Sequence, residues 1–194
     1  MLTPWGYSVD SISGIITVEQ FNFMTGNRWA SDSRIESAIA SASASIRAYC
    51  GWHVAPSLSC TIVLDGEQGD IWLPTCALTA VGSVEFDGVE QTVTGFNQRG
   101  RVRTAEKQPR GLGNVEVSYT AGFDLTAMPD LADVVKGRVI AAIALTSYGV
   151  SQETAGSLSI SYSGSALSDA GGYFLPPDVR AMLAPYKLVS AHAA

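Results

Sequence analysis

The chain has 194 residues, with 12 lysines and arginines against 18 aspartates and glutamates, and a formal net charge of −6. This length allows one well-cored domain, or a helical domain with a smaller β insertion, and argues against two large independent domains. The negative charge argues against a protein that binds nucleic-acid phosphates tightly. The charged fraction of 15% is low, which is typical of a subunit buried between neighbouring subunits or of an Ala- and Ser-rich chain.

The N-terminal stretch shows no secretion signal, because it lacks a basic region followed by a sustained apolar run. No later segment reaches the run of about 18 uncharged apolar residues that a membrane span requires. We therefore expect a protein that is made in the cytoplasm and has no membrane partner.

Two capping boxes predict the first helices. Thr17 with Gln20, and Ser33 with Glu36, have the spacing at which each side chain accepts a hydrogen bond from the other residue's backbone. Gly51 supplies the stop after the second helix. Apolar residues recur at three and four residues along the second helix and along a third one that Asp130 can cap. Pro176-Pro177-Asp178 starts a short fourth helix, and Pro185 closes it. The sequence predicts helices near residues 18–25, 33–50, 130–148 and 177–184.

The period changes from near four to two between the second and third helices, which predicts about five or six short antiparallel strands. Asp87-Gly88 is a strong hairpin signal, and the turn at residues 65–69 predicts an earlier hairpin. The strands are expected at residues 60–64, 71–73, 81–86, 92–96 and 115–119.

These elements predict an α+β fold, a small helical bundle with an antiparallel β domain inserted between its second and third helices. The expected parts are an N-terminal extension at residues 1–15, a helical domain at 16–57 and 124–194 with a Gly/Ser-rich arm at 149–172, and an inserted β domain at 58–123.

Catalytic chemistry is not expected. The sequence contains two histidines, His53 and His192, and no nucleophile or metal-binding motif. His53, beside Trp52, is interpreted as structural or surface-exposed. Cys50, Cys60 and Cys76 form no C-x-x-C pair, which favours small apolar thiols over a metal or disulfide site. We predict no cofactor and no metal.

Two groups of carboxylates are candidates for a site. Glu85 and Asp87 lie two apart on a predicted strand and so share a face, where they are expected to solvate the surface and not to act as an acid/base pair. The acidic residues of the first turn lack the C-terminal glutamate of a calcium loop, so they are interpreted as a solvated turn. These residues are Asp65, Glu67 and Asp70.

The segment 98–110 carries five basic residues and one acidic residue, a net charge of +4 that leaves −10 for the rest of the chain. Alternate positions on a strand point to the same side. One interpretation is that these charges protect the edge of a sheet. The other is that they contact an acidic surface of an adjacent subunit, which is favoured over a contact with DNA. The candidate subunit-interface residues are Arg99, Arg101, Arg103, Lys107 and Arg110.

Four aromatic residues suggest an alternative function, a β-rich receptor- or glycan-binding module. Trp29, Trp52, Trp72 and Phe96 are scattered over helix ends and strands, so anchoring of the core is the favoured interpretation.

In their order and spacing, the segments of the chain resemble the head-tail connector (head completion or adaptor) proteins of long-tailed bacteriophages. No single segment is decisive, because each is a cap, strand or turn that many folds use. The matching segments are Ile16–Glu19, Arg47–Gly51, Asn114–Phe123, Met128–Leu131, Ser157–Tyr162 and Leu175–Leu183.

The resemblance implies a non-enzymatic virion protein at the head-tail interface. Such a subunit forms a ring, expected to be a dodecamer, between the portal protein and a stopper or tail-completion protein, and double-stranded DNA passes through it. The C-terminal segment is the candidate for docking to the portal, through Pro176, Pro177, Val179, Leu183 and Tyr186.

Overall fold

The computed structural model describes residues 1–144, 152–155, 158–161 and 175–188. Its helices and antiparallel sheets confirm the mixed α+β class. The chain divides into two compact units, here called the β unit and the helical unit. The β unit is Met1–Ile12, Cys50–Met128 and Pro185–Ala194, and the helical unit is Ser13–Tyr49 and Pro129–Ala184. The insertion of a β domain into the helical domain, expected from the sequence, stays a prediction.

The helices lie where the sequence predicts them. They are α1 (Val18–Met24), α2 (Ile35–Cys50), α3 (Pro129–Ala144) and α4 (Pro177–Leu183), with 3-10 turns at Leu125–Ala127 and Ala184–Tyr186. The predicted end of α3 at residue 148 lies outside the described residues. Within the described ranges, no helix is long and apolar enough to cross a membrane.

A capping box begins the first helix, and an aspartate turn precedes the second. Thr17 Oγ1 accepts from the Gln20 amide at 3.1 Å, and Gln20 Oε1 accepts from the Thr17 amide at 2.8 Å, which confirms the predicted box. Before α2, Asp32 Oδ1 accepts from the Arg34 amide at 2.9 Å, in a turn that precedes the first helical residue, Ile35. The predicted box of Ser33 and Glu36 is not among the hydrogen bonds of the described residues.

The helical unit buries the apolar stripes of α2 and α3. Ser43 joins this core to the preceding segment, because its hydroxyl accepts from the Ile15 amide at 2.9 Å and donates to the Ile39 carbonyl at 2.7 Å. Ridges of small residues such as alanine let helices pack closely. The buried stripe residues are Ile35, Ala38, Ile39, Ala42, Ile46, Leu131, Val134, Val135, Val139 and Ile143.

The β unit contains two antiparallel sheets. The first sheet has the order β1 (Tyr7–Ser8), β2 (Leu58–Gly66), β8 (Gly111–Ala121), β4 (Leu78–Phe86), β5 (Val89–Glu90). The second has the order β3 (Ile71–Trp72), β7 (Arg101–Thr104), β6 (Val93–Phe96). Side chains from both sheets form one hydrophobic cluster. Each sheet therefore turns one face inward and one outward.

Pairing within the sheets differs from the local hairpins predicted. The turn at Asp87-Gly88, with φ of 50° and 77°, confirms the second hairpin, but it pairs Phe86 with Val89 instead of leading to strand 92–96. The first predicted hairpin is wrong, because β2 pairs with β8 while β3 pairs with β7. The long strand β8 pairs with both β2 and β4, and this non-local pairing outweighs the local turn.

The Gly/Ser-rich arm falls mostly outside the described residues. Within it, β9 (Gln152–Ala155) pairs antiparallel with β10 (Leu158–Ser161).

Tyr7 and His53 connect the N-terminal segment to the rest of the β unit. The Tyr7 hydroxyl accepts from the His53 amide at 3.0 Å and lies 2.8 Å from His53 Nδ1. His53 Nε2 lies 2.9 Å from the Ala121 carbonyl, which only accepts, so the geometry assigns a ring proton to Nε2. His53 is buried, which confirms its structural interpretation, and β1 is a strand of the first sheet.

Gly122 follows β8 at a point where the backbone passes close to another segment. Its φ is +122°, and a Cβ there would lie 2.4 Å from the Pro56 carbonyl oxygen and 2.9 Å from His53 Nε2. A side chain at this position would need both a strained backbone and a shift of the His53 contact.

We expect Gly122→Ala to destabilise the β unit by about 2–4 kcal/mol, because strain and steric overlap add. The measurement is chemical denaturation followed by circular dichroism. Gly137→Ala is the matched control: Gly137 lies in α3, and a Cβ added there would have nothing within 4 Å, so this change should be neutral or stabilising. Equal stability of the two variants would contradict the prediction.

Candidate interaction surfaces

Strand β7 presents two arginines on the outward face of the second sheet. Val102 between them is fully buried, so Arg101 and Arg103 point away from the core. Both pair with Asp70, which precedes β3: Arg103 Nε lies 3.1 Å from Asp70 Oδ1, and the Arg101 guanidinium contacts Oδ2 of the same carboxylate. One carboxylate thus holds two guanidinium groups side by side.

Trp72 completes this surface. It stands opposite Arg101 in the strand register, the Arg101 guanidinium carbon lies 5.6 Å from its ring centroid, and the indole is 51% exposed. Hydrogen bonding from Arg103, and then from Arg101, lowers the pKa of Asp70. The solvated-turn interpretation is therefore wrong for Asp70. We call Asp70, Trp72, Arg101 and Arg103 the basic face.

The other predicted interface residues lie elsewhere. Arg99 is in the turn between β6 and β7, while Lys107 and Arg110 are in the loop before β8. All three are exposed, and none has an ion-pair partner among the residues that the structure describes. Strand β7 is also central in its sheet, between β3 and β6, so the interpretation that its charges protect a sheet edge is wrong. Of the five predicted interface residues, the structure therefore brings together two, Arg101 and Arg103.

The aromatic residues divide into core and surface. Trp52 is fully buried, as predicted, and Trp29 is half-buried against Phe21, with ring centroids 6.4 Å apart. The core interpretation is wrong for Trp72 and Phe96, which are about half exposed. A strand of two residues, such as β3, gives no periodicity from which to tell its inner from its outer side chain.

Three glutamates form a row across the outward face of the first sheet. Glu85 on β4 stands opposite Glu116 on β8 and opposite Glu90 on β5. Glu90 and Glu116 are exposed and Glu85 is half-buried. We call these residues the acidic row. The prediction that Glu85 and Asp87 share one face of a strand is wrong, because Asp87 lies in the hairpin turn and not on the strand.

The C-terminal segment is partly buried. Leu183 is fully buried and Tyr186 nearly so; Trp52 Nε1 donates to the Tyr186 carbonyl at 2.7 Å. Pro177 is exposed, and Pro176 and Val179 are half-buried. Met182, which no sequence pattern singles out, is 50% exposed on α4. An exposed methionine is a common feature of contact surfaces.

The two buried cysteines, Cys50 and Cys60, are not in the reactive thiolate form near pH 7. Burial raises the pKa of Cys50 to about 12 and that of Cys60 to about 11, so both are neutral thiols near pH 7. Cys76 is likewise a free thiol. Across the described ranges, no cluster of histidine, cysteine, aspartate and glutamate has the form of a metal site.

A family model described as "Head completion protein" matches residues 14–189. The chain therefore belongs to the head completion protein family. A comparison with curated proteins gave no significant match.

Solved structures with a similar fold come from gene transfer agent (GTA) particles. A chain of the virion of the native particle is 19% identical, with a TM-score of 0.57 over 97% of this chain and 98% of that chain. A chain of the native neck, with C12 symmetry, is 16% identical, with a TM-score of 0.51 over 95% and 98%. A chain of the empty neck, with C6 symmetry, is 18% identical, with a TM-score of 0.52 over 97% and 98%.

We expect Arg103→Gln to raise the pKa of Asp70 towards its ordinary value of 3.8, because Arg103 is the largest cause of the lowering. Carboxyl titration by NMR measures this. Since the folded pKa is depressed, the ion pairs contribute stability above the ordinary pKa and lose it as the pH falls through the folded value. The control Arg110→Gln, outside the basic face, should leave the titration unchanged; an unchanged titration in Arg103→Gln would refute the assignment.

Proposed function

We propose that this chain is a structural head-tail connector subunit of a virion, located at the head-tail interface. It assembles into a ring between the portal protein and a stopper or tail-completion protein, and it catalyses no reaction. The observation that carries this proposal is the family match over residues 14–189. The fold likeness to GTA neck chains, which extends over nearly the whole of both chains, supports it.

The ring is proposed to be a dodecamer. Neck structures with C12 and C6 symmetry contain chains of this fold, which supports closed rotational symmetry in multiples of six. Each subunit of such a ring offers one face to each neighbour, and the contact is head-to-tail.

Double-stranded DNA is proposed to pass through the ring without being held. A net charge of −6 disfavours retention of phosphates, and a weakly attractive channel lets DNA slide. A cryo-EM ring with a channel lined mainly by arginine and lysine would argue against this part of the proposal.

Exposure of Trp72 is the observation that favours the alternative, a glycan-binding module. However, Arg101 already lies over the Trp72 ring, where a sugar would stack. A glycan array therefore should remain blank for the wild-type protein, and specific glycan binding would favour the alternative.

Mixing the purified chain with its cognate portal should produce an assembly of the size of a ring. Native mass spectrometry gives the stoichiometry and electron microscopy the symmetry, with portal alone as the control. A chain that remains monomeric in the presence of the portal contradicts the proposed function.

The exposed part of α4 is proposed to dock on the portal, with Pro177, Val179 and Met182 in the contact and buried Leu183 and Tyr186 anchoring the segment. We expect Met182→Asp to weaken portal binding about tenfold, because it puts a charge into an apolar contact. Phe23→Asp is the matched control, an exposed apolar residue of α1 in the same unit. Equal portal binding by wild type and Met182→Asp would contradict this docking site.

A further inference from the structure

The two outward faces of the β unit carry opposite charges. Val102 of the second sheet and Val117 of the first are buried in the same hydrophobic cluster. The residues that alternate with them point away from this cluster, with Arg101 and Arg103 on the second sheet and Glu116 on the first. The basic face and the acidic row are therefore different surfaces positioned by one core.

The acidic row is unfavourable in the isolated chain. Adjacent strands lie about 4.8 Å apart, so Glu116, Glu85 and Glu90 bring three like charges into one line. Like charges directly opposite each other destabilise a sheet. The described part of the chain supplies no ion pair to any of the three. A cationic partner would relieve this repulsion, and Val63, which stands opposite Glu116 and is 54% exposed, adds apolar contact area.

The basic face is suited to protein contact. Tryptophan and arginine are enriched among the residues that dominate binding energy at interfaces. Asp70 and Trp72 already hold the Arg101 side chain, so less conformational entropy is lost when a partner binds. Each guanidinium has five N–H donors, and Asp70 occupies only some of them. The remaining donors of Arg101 and Arg103 are available to carboxylates of a partner.

We propose that the basic face of one subunit binds the acidic row of a second copy of this chain. This inference rests on the proposed ring and identifies its lateral contact. Since each copy has one basic face and one acidic row, the contact is head-to-tail and leaves one face of each kind free for the next copy, as ring closure requires.

Charge reversal on each face tests the pairing. Arg101→Glu/Arg103→Glu and Glu85→Lys/Glu116→Lys should each weaken self-association by at least about tenfold, because each places like charges across the contact. An equimolar mixture should recover assembly, since the reversed basic face of one variant complements the reversed acidic row of the other, and their two native faces still complement each other. Analytical ultracentrifugation of the free chain and electron microscopy of rings on the cognate portal measure the two effects.

The matched control for the arginine variant is Lys107→Glu/Arg110→Glu, which makes the same change in net charge outside the basic face. It should assemble like the wild type, and circular dichroism should show that every variant is folded. Wild-type rings with unimpaired assembly of both face variants would overturn the lateral contact but leave the proposed function standing. Failure of the wild type to form rings on the portal would instead refute the proposed function.

Two further outcomes would overturn the pairing. If each folded variant fails alone and the mixture also fails, the two faces do not bind each other. If Arg101→Glu/Arg103→Glu forms normal rings but loses binding to a short DNA duplex that the wild type binds, the basic face contacts DNA and not a second copy.

Discussion

The shared core of the two antiparallel sheets is the constraint on which the surface of the β unit depends. Because Val102 is fully buried, Arg101 and Arg103 must point outward, and the same alternation exposes Glu116 between two buried valines. A register slip of one residue would drive these charges into the core, where an unpaired charge is very costly. The charge pattern outside is therefore specified as firmly as the packing inside, although the charged residues themselves contribute little to stability.

Features set by neighbouring residues were predictable from sequence, and features set by distant pairing were not. The cap at Thr17 and the turn at Asp87 follow from groups within a few residues of each other, and both are present. Strand β3 contrasts with them, since it pairs with a strand about thirty residues away and has only two residues of its own. A turn signal before β3 suggested a hairpin with β2, but pairing of β2 with β8 prevails.

The candidate surface shows the same division. Composition identified the basic segment, and period-two alternation placed Arg101 and Arg103 on one side. Their partner Asp70 has the local sequence pattern of a solvated turn residue. Its contact with Arg101 spans 31 residues, so the residues next to Asp70 give no sign of it. The acidic row combines residues of three strands, so it exists only once β4, β5 and β8 are in register. In the C-terminal segment, Tyr186 was a candidate for docking on the portal, but its ring packs against Phe123 within the chain, a residue more than sixty positions away that no local pattern indicates.

Both proposed lateral surfaces lie in one unit, and this has a consequence for assembly. Their spacing is fixed by a single hydrophobic core, so the head-to-tail contact does not depend on how the helical unit is arranged. The exposed residues of α4 belong to the helical unit and offer an apolar contact of different chemistry. Salt screens exposed charges over about 10 Å at 0.1 M but leaves apolar contacts intact. Lateral and portal contacts of this kind would therefore respond differently to ionic strength, with docking on the portal the more salt-resistant of the two.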